Sequence, residues 1–280
     1  MTKAKDHTQV LLEAIAAEFA ALPEVEAVVL AGSKGGRHSD ESSDIDLCVY
    51  AETEPPEAWR AKLARKLGER ASIGNRFWET GDEWISKQTG NIVDIMYRSP
   101  DWITEQIDRA LVRHQASVGY STCFVHNVLH SRAYHDPHGW YAALQARTAQ
   151  PYPDGLRRTI VAKNHPILRG IHSSYLHQIE LALARNDHVS VNHRVAALLA
   201  SYFDILFAVN RLPHPGEKRL LVYAMSECPK RPADLQEQLD GVLQAVSPVG
   251  NAHLPERVNE LLDGLDSLLQ AEGLQIPAPP

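Results

Sequence analysis

Cysteine is scarce in this sequence: 280 residues hold three, Cys48, Cys123 and Cys228, far apart and odd in number. That pattern argues against a disulfide framework and leaves no paired spacing for a zinc site, so the thiols read as reduced and buried, without redox chemistry. Long apolar runs are missing too, and nothing approaches the roughly 20 residues that a membrane-spanning helix needs. The opening stretch MTKAKDHTQVLLEAIAAEFAAL carries Glu13 and Glu18 inside an amphipathic pattern. It has neither the apolar core nor the cleavage site of a signal peptide, and it reads as the first helix of a cytoplasmic protein. Positive charge is not in excess. A formal net charge of -7 gives no overall attraction to polyanions and weighs against a long DNA or RNA partner. The 14 histidines include no HExxH or comparable ligand spacing, so they read as surface or core residues rather than metal ligands. No internal repeat is visible.

What remains is the composition of an ordinary soluble globular protein, 44% hydrophobic and 22% charged. The length exceeds what one compact core usually needs, so two domains sharing a cleft are expected. Val25 to Ala31 (VEAVVLA) is a short apolar, β-branched run that reads as a buried strand delivering the tight turn Gly32-Ser33. The loop GSKGGRHSDESS follows, then DIDLCVYAE, where Ile45, Leu47 and Val49 alternate with Asp44, Asp46 and Cys48. That two-residue period is a strand with two unlike faces, and it points both aspartates the same way.

Pro55-Pro56 precedes a helix expected from about Glu57 to Ala71, with Trp59, Leu63 and Leu67 at four-residue spacing. Two extended runs, NRFWETGDEWIS and NIVDIMYR, separated by KQTG, read as neighbouring strands, and Asp94 lies in the second with Val93 and Ile95 on its other face. From about Asp101 the pattern turns helical, in DWITEQIDRALVRHQ, GWYAALQARTA and HRVAALLASYFDILFAVNRL. Pro166 splits or kinks the long segment around it, Pro213 and Pro215 close a helix, and PGEKRLL is expected to open another with proline in its first turn. The tail QIPAPP reads as disordered. The expected architecture is α+β: a small mixed-sheet domain over residues 1–100, then an all-α helical bundle over 101–280.

Three carboxylates and a Gly-Ser turn suggest one chemistry. Nucleotidyl transfer needs little covalent help from protein, because positioning and neutralisation of phosphate charge lower its barrier. Hard Mg²⁺ ions do this when carboxylates cluster to hold them, with phosphates and waters completing their shells. Asp44 and Asp46 on one strand face, with Asp94 from a neighbouring strand, supply such a cluster. Gly32 and Ser33 offer backbone N–H groups and a hydroxyl to a triphosphate, and a helix opening there would add its dipole. Arg37 in the following loop, and Lys163, Lys218 and Arg219 in the helical half, are cations able to grip phosphate. Cys48 shares the phase of the aspartates and reads as a thiol packed beside the site rather than a nucleophile.

The string AGSKGGRHSDESSDIDLCVY resembles the Gly-Ser, spacer, Asp-x-Asp signature of the DNA polymerase beta-type nucleotidyltransferase superfamily, and Asp94 in NIVDIMYR falls where that superfamily keeps its third carboxylate. The resemblance implies that Asp44, Asp46 and Asp94 bind two Mg²⁺ ions, that Ser33 contacts the terminal phosphates, and that Asp94 assists as ligand or base. It is strong over residues 25–98. More loosely, the helical half with LFAVNRLPHPGEKRL resembles antibiotic nucleotidyltransferases of the aminoglycoside or lincosamide type. Relatives of that kind use a glutamate as general base; here Asp94, Glu79 in the preceding run, or a carboxylate of the helical half are the alternatives. The activity implied is transfer of a nucleoside monophosphate, AMP from ATP by default, onto a hydroxyl of a small molecule with release of pyrophosphate. The protein would act as a monomer or homodimer, away from membranes. A macromolecular acceptor, protein or transfer RNA, and a non-catalytic nucleotide sensor are the rival readings.

Overall fold

The computed structural model describes residues 7–31, 44–77, 79–247 and 251–275. The fold is α+β, and the chain divides into two compact units: residues 1–107 with 127–150, and residues 108–126 with 151–280.

The first unit is built on a six-stranded sheet of order β3-β4-β5-β2-β1-β6. Its strands are β1 (Val25–Leu30), β2 (Ile45–Ala51), β3 (Gly68–Asn75), β4 (Gly81–Ser86), β5 (Ile92–Arg98) and β6 (Arg132–His135). β2 and β5 run parallel in the centre and every other neighbouring pair is antiparallel, so the sheet is mixed. A parallel pair cannot be joined by a hairpin, and the crossover from β2 to β5 carries α2 (Glu57–Leu67) together with β3 and β4. The alternation read from the sequence decides the faces. Ile45, Leu47 and Val49 of β2 and Val93, Ile95 and Tyr97 of β5 enter one core with Leu11, Leu12, Ile15 and Phe19 of α1 (His7–Phe19) and Leu63 of α2.

α2 stops four residues earlier than its apolar spacing suggests. Gly68 takes an extended conformation, its N–H bonds back to the carbonyl of Ala64, and the chain continues as β3. Only a residue without a side chain fits there, because a Cβ would fall 2.1 Å from the ring of Trp84. β3 is mostly exposed and its sequence GERASIGN lacks apolar alternation, whereas the expected extended run from Asn75 contributes strand only from Gly81. Beneath β4, Asp82 is fully buried: it receives Arg60 Nη1 at 2.7 Å, the Tyr97 hydroxyl at 2.7 Å and the Gly74 N–H at 2.8 Å. Glu54 meets the same guanidinium at 2.7 Å, which lies 4.6 Å from the centre of the Tyr97 ring. β6, four residues long, lies in the stretch read as helical.

Helix α3 (Pro100–Leu111) follows β5, and α4 (Cys123–His130) and α5 (Trp140–Thr148) flank β6. The second unit gathers α6 (Asp154–His165), α7 (Tyr175–Ala184), α8 (His188–Val209), α9 (Leu220–Glu227), α10 (Leu235–Ala245) and α11 (Leu254–Ala271) around one apolar core. α8 is its axis, burying Leu198, Tyr202, Phe203, Ile205, Leu206 and Phe207. Pro166, which has no N–H to donate, turns the end of α6 into a π-helical turn over Pro166–Gly170. Pro215 does not sit in the first turn of α9: Arg219 adopts a left-handed conformation (φ 57) that delays the helix to Leu220. Within this unit the stretch before α4 is fastened by two buried side chains. Asn164 Oδ1 accepts the Gly119 N–H at 2.9 Å, and Asp204 accepts the Ser121 N–H at 3.0 Å and its hydroxyl at 2.6 Å. Burial pushes the Asp204 carboxyl up to about 6. Among the described residues no helix is long and apolar enough to cross a membrane. The expected disorder of the tail concerns residues that, except for Gln275, lie outside the described ones.

Candidate active site

The face of the sheet opposite α1 and α2 carries the acidic side chains. Alternation along β2 turns Asp46, Cys48 and Tyr50 to this face, and along β5 it turns Asp94, Met96 and Arg98 to it. The parallel register sets Asp46 directly against Asp94, and the antiparallel register of the next strand sets Asp94 against Glu83. A row of three carboxylates, Asp46, Asp94 and Glu83, therefore crosses three hydrogen-bonded strands spaced about 4.8 Å apart. Asp44 sits one residue ahead of β2, exposed. Like charges placed opposite each other in a sheet cost free energy.

Asp94, in the middle, registers the crowding. Its carboxyl is pushed up to about 6, first by partial burial and then by the negative charges of Asp46, Glu83, Glu79 and Asp44. Beside it the backbones of β4 and β5 approach closely at Gly81, which is buried. A Cβ on Gly81 would fall 2.7 Å from the carbonyl oxygen of Ile95 and 3.9 Å from Asp94 Oδ1, so glycine lets β4 close against β5 with no side chain at that point.

A buried cation shares this face. Arg98, its side chain 7% exposed, donates from Nε and Nη2 to the two oxygens of Glu79 at 2.8 and 2.6 Å. Its Nη1 lies 3.3 Å from Cys48 Sγ, and its guanidinium stands 5.0 Å from the Trp102 ring. Glu79 lies ahead of β4 rather than within a strand, and both its oxygens are engaged by Arg98. Cys48 is fully buried; burial pushes its thiol up against the opposing pull of Arg98, so it is a packed thiol and no thiolate nucleophile. Beyond it, Tyr50 stacks on Tyr141 of α5 at 5.5 Å between ring centres and meets Trp140 at a tilt, 5.3 Å away.

Magnesium takes hard oxygen donors, and it is commonly held through one or two carboxylates plus substrate phosphates. Asp46 and Asp94 are such a pair. Among the described residues no three Asp, Glu, His or Cys side chains converge to enclose a cation by themselves. The donor set therefore fits an ion whose shell phosphates and water complete, and it does not fit a closed structural metal site.

Of the residues singled out from the sequence, the fold brings Asp46 and Asp94 together, with Asp44 at the edge of the row. Gly32, Ser33 and Arg37 lie outside the described residues; Ala31, just before them, donates its N–H to the Asp46 carbonyl at 2.8 Å. Lys218 is exposed and belongs to the second unit, as does the exposed Lys163 of α6. Sequence reasoning passed over Glu83, Gly81 and Arg98. Glu83 was legible in principle, since Glu83 alternates with the buried Asp82 and Trp84, but the register that sets it opposite Asp94 was not.

Residues 121–220 match the model of a domain of unknown function (DUF4037), a stretch that includes Asn164 and Asp204 but none of the carboxylate row. No curated protein matches the chain. Among solved structures, a nucleotidyltransferase-like protein from Exiguobacterium sibiricum 255-15 is similar at 15% identity and a TM-score of 0.44, over 95% of this chain and 76% of that one. So distant a likeness leaves the chemistry to be read from the residues themselves.

Proposed function

We propose that the protein is a Mg²⁺-dependent nucleotidyltransferase that moves AMP from ATP onto a hydroxyl of a small molecule, of the kind represented by aminoglycosides, and releases pyrophosphate. The observation that carries this reading is the cross-strand juxtaposition of Asp46 and Asp94, next to a chain that leaves β1 at Ala31 for Gly32 and Ser33. In the reaction an acceptor hydroxyl oxygen bonds to the α-phosphorus as the bond to the pyrophosphate oxygen breaks, and the hydroxyl proton passes to a nearby carboxylate or to water. Magnesium bound at the row would neutralise charge on the phosphate oxygens. Asp46 and Asp94, with Asp44 at the margin, hold their carboxylates on a rigid central strand pair, so the geometry exists before substrate arrives. Gly32 and Ser33 supply the phosphate-contacting backbone and hydroxyl that their motif suggests, and Arg37 and Lys218 are further candidates for phosphate contacts.

The test is transfer of label from ATP, with Mg²⁺, to a panel of aminoglycosides and lincosamides, with RNA and cell extract in parallel arms. Asp46→Asn should reduce transfer by about 100-fold or more while the protein stays folded, because it removes a ligand and no core volume. Undiminished transfer by that variant would sink the assignment of Asp46. Label confined to RNA or to a protein of the extract would move the acceptor to a macromolecule, and binding of ATP with no labelled acceptor would favour a sensor.

A further inference from the structure

In the second unit Gly119 and Tyr120 are consecutive left-handed residues, with φ 71 and 56. Glycine takes that conformation freely, but a bulky side chain there costs free energy and persists only where its surroundings impose it. Here the buried side imposes it. Asn164 holds the Gly119 N–H and Asp204 holds Ser121, while Ser117 donates its N–H to Ser121 Oγ at 2.9 Å. A Cβ on Gly119 would fall 3.1 Å from that of Ala200, so the turn lies tight against α8. The Tyr120 ring meets the ring of His214 edge-on, 5.0 Å between centres, and His214 in turn meets Phe207 at 5.2 Å. His214 is fully buried and fixed from both ends: its backbone N–H donates to Thr122 Oγ1 at 2.8 Å, and its Nδ1 accepts the Gly216 N–H at 3.1 Å. Burial pushes the imidazole down to about 4, so the ring beside Tyr120 is neutral. Held on all these sides, Tyr120 is nevertheless 37% exposed.

We propose that Tyr120 is a stacking platform on which the second unit binds the base of a nucleotide. The inference takes from the transfer reading above only that the ligand is a nucleotide. A tyrosine ring is flat and apolar on its faces, and any base can stack on it because every base has a π-face. Burial, and then the charge of Glu217, push the Tyr120 hydroxyl up, so the platform carries no charge of its own. A side chain already fixed in place loses little rotamer freedom when a ligand settles on it. That gives the strained turn, and the two buried polar side chains that fasten it, a use: they hold the ring still before the base arrives.

The experiment compares AMP with ribose 5-phosphate, which share sugar and phosphate and differ in the base, in NMR titrations of the full chain without divalent cations. Wild type should bind AMP about tenfold or more tightly than ribose 5-phosphate. Tyr120→Leu should weaken AMP by about tenfold and leave ribose 5-phosphate within about twofold, whereas Tyr120→Phe, which keeps the ring, should keep the preference. Asp46→Asn should keep it as well, since that residue belongs to the first unit. In wild type, intermolecular NOEs should run from the adenine H2 and H8 protons to the Tyr120 ring, and this decides the matter if Tyr120→Leu fails to fold. Equal affinity for the two ligands, no binding of AMP, NOEs to other rings alone, or unchanged AMP affinity in folded Tyr120→Leu overturns the proposal. Base-dependent binding with no labelled acceptor would sink the transfer reading and leave the Tyr120 platform in place; a labelled acceptor with base-blind binding would do the reverse.

Discussion

The price of the carboxylate row should be measurable as stability regained when its middle member is neutralised. Asp94→Asn keeps the shape of the side chain and removes the charge. In the folded protein the carboxyl is pushed from 3.8 to about 6. At about 1.4 kcal/mol per tenfold change in proton affinity, that costs about 3 kcal/mol once Asp94 is fully ionised. Solvent reaches the half-buried group and screens its neighbours, so about 1 to 2 kcal/mol is the figure to test. The sign follows from linkage: a group whose folded value is raised contributes stability below its unfolded value and loses it as pH rises through the folded one. Asp94→Asn should therefore match wild type near pH 4, pull ahead between about pH 4 and pH 6, and be more stable by about 1 to 2 kcal/mol near pH 8. For units of this size that is about 2 to 8 °C in melting temperature, readable by scanning fluorimetry at several pH values without divalent cations. A variant no more stable than wild type near pH 8, or equally advantaged near pH 4, would refute the electrostatic account of the row.

Divalent cations should reverse the balance: Mg²⁺ is expected to raise the melting temperature of wild type near pH 8 and not that of Asp94→Asn, with the effect fading below about pH 6 as protons compete for the carboxylate. Asp82→Asn, on the opposite face of β4, leaves the buried Arg60 without its one fully buried counter-ion and should cost about 3 to 5 kcal/mol in denaturant unfolding. Gly81→Ala would press a methyl into the Ile95 carbonyl, and a loss of about 1 to 3 kcal/mol with weakened nucleotide binding is expected from calorimetry and thermal melts.

The central strands announce themselves because their alternation is strict: Ile45, Leu47 and Val49, and Val93 and Ile95, can face only a core. Asp46 and Asp94 follow from the same alternation, since each lies between two buried neighbours. Edge strands carry no such signal. β3 has few apolar residues to alternate, and Gly68, which ends α2, is required by the ring of a tryptophan sixteen residues away. Local pattern likewise cannot disclose that Arg98 returns to Glu79, or that β4 is shifted so as to bring Glu83 opposite Asp94, because both depend on which strands become neighbours. Lys218 illustrates the converse error of reading: its proline-led first turn was undone by one left-handed residue, Arg219.

The parallel pairing of β2 with β5 also orders events in time. Antiparallel neighbours joined by short connections can zip locally, but Asp46 meets Asp94 only after the crossover through α2, β3 and β4 has closed, a loop whose entropy must be met before any contact repays it. The repulsive row is assembled at that same closing step, alongside the apolar pairs Ile45–Val93 and Leu47–Ile95 that draw the strands together. Charge that is mutually repelled only when the strands are in register has little influence on the search and much on the escape. Relief of the row would accordingly show itself in how slowly the finished sheet comes apart, with the rate at which it forms almost untouched.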